Sequence, residues 1–162
     1  MSSRSVPEPD SVAAAHSTGL TLLSRRELSV RQLHDRLVRR GYTPAAVDGA
    51  LERLRASRVL DDARVARAFA RTRASVKRQG RDRVLRELAA IGIARNTAAD
   101  AVTEVFGALD ESALLNAALA RRLRRGVTLE NPADRRRIIQ ALLRQGFSMD
   151  AIRRAIKEQG DE

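Results

Sequence analysis

The chain has 162 residues, and its 31 Lys and Arg against 20 Asp and Glu give a net charge of +11. It contains no cysteine, which excludes disulfides, thiolate catalysis and cysteine-bound zinc. The length suits one ordinary domain or a short array of small ones, and so positive a charge favours an anionic partner, either nucleic acid or an acidic protein surface.

Residues 1–11, rich in Ser and Pro, read as a disordered tail. The stretch from Val12 to Leu23 is too broken by His16, Ser17, Thr18, Gly19 and Thr21 to be a secretory or spanning segment. It reads instead as a first helix, weakly patterned because of Gly19, in a soluble cytoplasmic protein without membrane association. Ser29 with Gln32 forms a capping box, and Val30, Leu33, Leu37 and Val38 recur at helical spacing behind it. Gly41 stands where a helix ends in a left-handed turn. Thr43 and Pro44 then read as an N-cap with proline at the first helical position, followed by Val47, Ala50, Leu51 and Leu54 on one face. Asp61 or Asp62 caps a helix running through Val65, Ala66 and Phe69 toward Val76. The next pair of helices turns at Gly92, with only Ala94 at its second start. Asp110 to Arg124 form another helix, apolar along Leu114, Leu115, Ala118 and Leu119. Asn131, Pro132 and Asp134 open the eighth helix, and Ser148 caps the ninth.

Three of these segments align without a gap: LHDRLVRRGYTPAAVDGAL from Leu33, VLRELAAIGIARNTAADAV from Val84 and IIQALLRQGFSMDAIRRAI from Ile138. Leu37, Leu88 and Leu142 coincide, as do Gly41, Gly92 and Gly146, each followed by an apolar residue (Tyr42, Ile93, Phe147). Val47, Ala98 and Ile152 match further on, then Ala50, Ala101 and Ala155, then Leu51, Val102 and Ile156. With one helix ahead of each pair, the expectation is an all-α protein of three tandem three-helix repeats, at 12–58, 59–108 and 109–162. Such small units bury little surface singly and stack into an elongated, curved array. Residues 24–58, 59–107 and 108–162 carry net charges of +5, +4 and +3, so the cationic character runs along the whole array.

Catalytic groups are scarce. His16 and His34 have no metal-ligand spacing, and His34 beside Leu33 and Leu37 reads as an edge-of-core residue. Asp61 and Asp62 read as a helix cap rather than a metal pair. The glycines punctuate helices instead of building a phosphate loop. No enzymatic activity, cofactor or metal is expected. Arg121 to Arg125 and Arg135 to Arg137 could meet phosphates, but the aromatics Tyr42, Phe69, Phe106 and Phe147 are too few and too inward for a base-stacking platform. No sustained heptad seam is present, so a monomer is expected.

Two stretches carry a family resemblance. LLSRRELSVRQLHDRLVRRGY, Leu22 to Tyr42, and VLDDARVARAFARTRASVKRQGRDRVLRELAAIGI, Val59 to Ile93, resemble the signatures of RecX proteins. The second matches through Leu60, Asp61, Asp62, Phe69, Arg71, Arg73, Gly80, Gly92 and Ile93, and the resemblance covers about residues 18–158. It implies a regulator that lies in the groove of the RecA recombinase filament on single-stranded DNA. It further implies suppression of RecA's ATPase, strand exchange and co-protease activities, and hence modulation of DNA repair and the SOS response. Arg25, Arg26, Arg71, Arg73, Lys77, Arg78 and Arg81 lie in the matching stretches and are the candidate filament or phosphate contacts. Weak, nonspecific contact with nucleic acid accompanies this reading; the alternative is a helical protein that binds DNA nonspecifically and tightly in isolation, without dependence on RecA.

Overall fold

A computed structural model describes residues 8–123 and 128–160. Among these the chain is entirely helical: α1 (Val12–Leu23), α2 (Val30–Arg39), α3 (Pro44–Ala56), α4 (Asp62–Ser75), α5 (Arg81–Ala90), α6 (Arg95–Gly107), α7 (Glu111–Leu123), α8 (Pro132–Arg144) and α9 (Met149–Gly160). Of the tail expected at 1–11, residues 1–7 lie outside the described residues. Glu8 to Ser11 form a turn, in which the Ser11 amide donates to the Glu8 carbonyl and the Ser11 hydroxyl accepts from the Ala14 amide at 3.1 Å.

The helices pack in threes around separate apolar clusters. Leu33, Leu37, Val47 and Leu54 centre the first, Val84, Leu88, Val102 and Phe106 the second, and Leu119, Ile138, Leu142 and Ile152 the third. Within each unit the first and third helices pack side by side. In the first unit small residues permit this. A Cβ on Gly19 of α1 would stand 2.8 Å from Leu54 Cδ1 in α3, and one on Gly49 of α3 would stand 3.0 Å from Val12. Gly19, which weakens the apolar pattern of α1 in sequence, is thus what lets that helix approach its partner.

The repeat glycines end their helices as expected: Gly41, Gly92 and Gly146 have φ of 96°, 86° and 94°. The capping box at Ser29 is complete, and Asp61, Asn131 and Ser148 cap their helices through side chains. Thr43 departs from expectation. It precedes α3 with extended backbone but makes no side-chain cap. Its amide donates to the Pro9 carbonyl at 2.9 Å and its hydroxyl turns the same way, so the N-terminal turn has taken this side chain from the helix. Leu60, placed at the head of the second repeat by sequence, is buried in the first cluster. Arg58 adopts a left-handed conformation (φ 57°), which folds the chain back so that the Leu60 amide reaches the Leu54 carbonyl at 3.0 Å.

Polar bonds join neighbouring units at equivalent places. At the first joint the Ser29 hydroxyl, at the start of α2, donates to the Ile91 carbonyl just before Gly92. The Val30 amide donates to Asp62 Oδ1 at 2.9 Å. At the second joint the Gly80 amide, at the start of α5, donates to the Gln145 carbonyl just before Gly146 at 2.8 Å. The start of one unit's second helix therefore abuts the glycine turn of the next unit.

Candidate partner-binding surface

The seven candidate cations divide by what surrounds them. Arg73 is engaged inside its own unit. Its Nε lies 2.9 Å from Glu87 Oε2, and its guanidinium carbon stands 4.6 Å from the Phe69 ring centre. Arg81 pairs with Glu111 of the next unit and lies 5.3 Å from the Phe106 ring centre. Both make contacts within the molecule, with 32% and 40% of their side chains still exposed. Their acid partners sit on other helices, which local sequence does not reveal.

Arg25, Arg26 and Arg71 are exposed. Arg26 belongs to a crowd of like charge with Arg36, Arg39 and Arg40. Burial, then repulsion from Arg26, Arg39 and Arg40, pulls the Arg36 guanidinium below its ordinary value. Mutual repulsion of this kind is relieved by an anion.

Lys77 and Arg78 are brought together with cations of another unit. They line a groove of about 480 Å³ along the second joint, opposite Arg121 and Arg122 of α7 and Arg144 of α8, with Arg83 beside them. The left-handed Arg78 (φ 50°) places this corner, and its carbonyl accepts from Gln145 Nε2 at 2.6 Å. No carboxylate is among the described lining residues. Arg83 bonds Glu87 at 2.8 Å, and Arg122 donates to the Ala118 carbonyl and to Gln145 Oε1. Arg144 and Arg83 escaped the sequence reading. The one signal for Arg144 was its place two residues before a repeat glycine. Arg124 and Arg125, named in sequence as phosphate candidates, lie outside the described residues. Arg135 to Arg137 are exposed at the start of α8.

The positions considered for metal are otherwise employed. Asp61 caps α4, and the Arg64 amide bond, followed by that of Ala63, holds its carboxyl below the ordinary value against the pull of burial. Asp62 serves the first joint. His34 is half-buried, with Nδ1 3.2 Å from Asp35 Oδ1. Among the described residues no group of three or more His, Cys, Asp or Glu is placed to hold a metal, and no helix is long and apolar enough to cross a membrane.

Family models for the first, second and third three-helix domains of RecX match residues 15–54, 61–102 and 110–156. The regulatory protein RecX of Halorhodospira halophila is 36% identical over 145 residues, covering 88% of this chain and 86% of the relative. The chain belongs to the RecX family. The RecX regulatory protein of Treponema pallidum is 31% identical over 139 residues, covering 84% of this chain and 85% of that one. Among solved structures, RecX from Lactobacillus salivarius superposes with a TM-score of 0.81 at 19% identity, covering 93% of this chain and 97% of that one. A second RecX crystal structure gives 0.77 at 24% identity, over 91% and 71% of the two chains. These superpositions establish the RecX fold, three three-helix domains in tandem.

Proposed function

We propose that this RecX-family chain is a non-enzymatic regulator that binds the RecA filament on single-stranded DNA and inhibits its ATPase, strand-exchange and co-protease activities. The reading extends to modulation of DNA repair and the SOS response, by a monomer acting in the cytoplasm. The observation that carries it is the match of all three three-helix domains to a family whose curated relatives are named regulatory proteins. A linear set of small units, at 12–58, 59–108 and 109–162, can touch successive protomers of a filament. Several weak contacts then act together at high effective concentration. The exposed cations at Arg25, Arg26, Arg71, Lys77 and Arg78 are the contacts this reading assigns.

A titration of RecA on single-stranded DNA tests it. Substoichiometric amounts of the chain are expected to slow ATP turnover, and turnover unchanged across the titration refutes the reading. The cation-lined groove favours one other reading, nonspecific binding to nucleic acid without RecA. Retention of the chain by immobilised, DNA-free RecA separates the two.

A further inference from the structure

The second joint also holds a cavity of about 320 Å³ that shares no residue with the cationic groove. It is bounded by the start of α5, the end of α6 and the helices α7 and α9. Its floor is apolar and aromatic: Phe106, Leu115 and Phe147 are buried there, with Ala151 and Ala155 one turn apart on α9 beside them. Three carboxylates (Asp82, Glu111, Glu158) and two guanidiniums (Arg81, Arg154) also line it, so the lining is net negative in a chain of charge +11. One ring and one acid are already served by the chain's own cation. Arg81 pairs with Glu111 and lays its guanidinium carbon 5.3 Å from the Phe106 ring centre. The remaining ring and acids have no such cation. Among the described residues Phe147 meets no guanidinium, and Asp82 and Glu158 are in no ion pair, not even with Arg154 one turn before Glu158. The Asn116 carboxamide, half-buried in the same lining, makes no hydrogen bond among the described residues.

We propose that this cavity is a docking site for an arginine side chain presented by a different protein. The lining selects the ligand. Carboxylates without a cation in one cavity repel each other, and a guanidinium fork offsets that repulsion with charge-assisted bonds. An arginine also runs its apolar stem along an apolar floor and stacks its planar head on a ring, as Arg81 does on Phe106. Lysine, a compact and strongly hydrated point charge, gains less from the same surroundings. A phosphate would meet three carboxylates, so nucleic acid is not the ligand. A second copy of this chain is opposed by the repulsion between two charges of +11. The partner is therefore another protein, its arginine set among neutral or acidic residues. The volume stands at the low end of the roughly 300–1,000 Å³ of ligand pockets, which suits one side chain rather than a folded element. Asn116 is left for the peptide groups flanking that side chain. This goes beyond the regulatory reading and does not rest on it, because the partner is defined by its side chain alone.

The test uses the full chain with its alanine methyls labelled for NMR and the peptide acetyl-Gly-Arg-Gly-amide as probe. Ala151 and Ala155 report on the cavity, and Ala118 and Ala141 on the cationic groove. Saturable shifts confined to Ala151 and Ala155 are expected. Shifts absent at several millimolar peptide, or appearing at Ala118 and Ala141 instead, overturn the site. The same peptide with citrulline keeps the shape and loses the charge, and is expected to bind about tenfold more weakly. The lysine peptide is expected to bind about threefold more weakly than the arginine one. Equal binding of the arginine and citrulline peptides overturns the assigned chemistry. The variant Asp82→Asn with Glu158→Gln is expected to lose about tenfold in affinity, whereas Asp48→Asn with Glu52→Gln on α3, an equal change of charge at exposed acids, alters little. Equal loss in both shows that net charge alone explains binding and overturns the site. Spermidine bound more tightly than the peptide overturns the protein source in favour of a free polyamine. If the Asp82 variant does not fold, Glu158→Gln and the cavity-filling Ala151→Leu are each expected to diminish the shift at Ala155, and binding undiminished in both overturns the proposal.

Discussion

Ser29 carries two tasks that are separate in most helices. Its hydroxyl oxygen accepts from the Gln32 amide at 3.1 Å, and its proton goes to the Ile91 carbonyl of the next unit. The residue is fully buried, so neither bond is replaced by water when lost. Ser29→Ala is expected to cost about 1–2 kcal/mol, beyond what an exposed cap gives. Urea unfolding measures it, and a loss below a few tenths of a kcal/mol would show that the joint bond contributes nothing. The capping half of this role was legible in sequence, because Ser and Gln three residues apart is a local pattern. The joint half was not, since Ile91 lies 62 residues on and offers only a backbone carbonyl. Thr43 errs in the opposite direction. Its local pattern was right for a cap, and a turn from Pro9 outcompetes the helix for it.

At the scale of helices, Glu87 of α5 organises the second unit. It meets Arg73 from α4, Arg83 one turn away on α5, and Gln79 from the segment between them. Burial pushes the Glu87 carboxyl up, but the Arg83 bond, the charges of Arg73 and Arg83 and the Gln79 amide outweigh it and hold the group below its ordinary value. A carboxyl depressed in the folded state stabilises above its unfolded value and loses that contribution as pH falls through the folded one. Stability of about 1–2 kcal/mol from this cluster is therefore expected to be present above about pH 5 and to fade on acidification. Glu87→Gln should be less stable than wild type at pH 7, and the gap should close toward pH 3. Chemical unfolding at a series of pH values checks it, and a gap independent of pH would locate the loss in packing. The sequence does not reveal this pairing: Arg73 stands in a family-matching stretch and reads as a contact for a partner, and its ion pair is with an acid 14 residues away on another helix.

For the whole molecule, the repeat glycines show how much a one-dimensional pattern conceals. Their alignment disclosed three units and three left-handed turns, because a turn is local. It did not disclose that two of the three turns are also joints. Gly41 is exposed, while Gly146 is buried against the start of α5. Gly80 separates the two roles. Its φ of −80° is ordinary for any residue, so alanine there meets no conformational penalty. Its Cβ would, however, stand 2.2 Å from the Gly146 carbonyl oxygen and 2.7 Å from the Phe147 amide nitrogen, both backbone atoms that cannot swing aside. Gly80→Ala must therefore push the third unit away and break the Gly80–Gln145 bond. Because the apolar clusters are largely separate, the cost should fall on coupling rather than on the cores. The expected outcome is a loss of about 1–3 kcal/mol, with the third unit unfolding before the other two instead of with them. Gly41→Ala, at a turn with no joint to another unit among the described residues, should cost about 1–2 kcal/mol from its φ of 96° and leave unfolding a single step. Hydrogen exchange resolved by helix distinguishes these outcomes. Were α7–α9 to exchange in step with α1–α6 in the Gly80→Ala chain, the abutment of helix start on glycine turn would not be what couples neighbouring units.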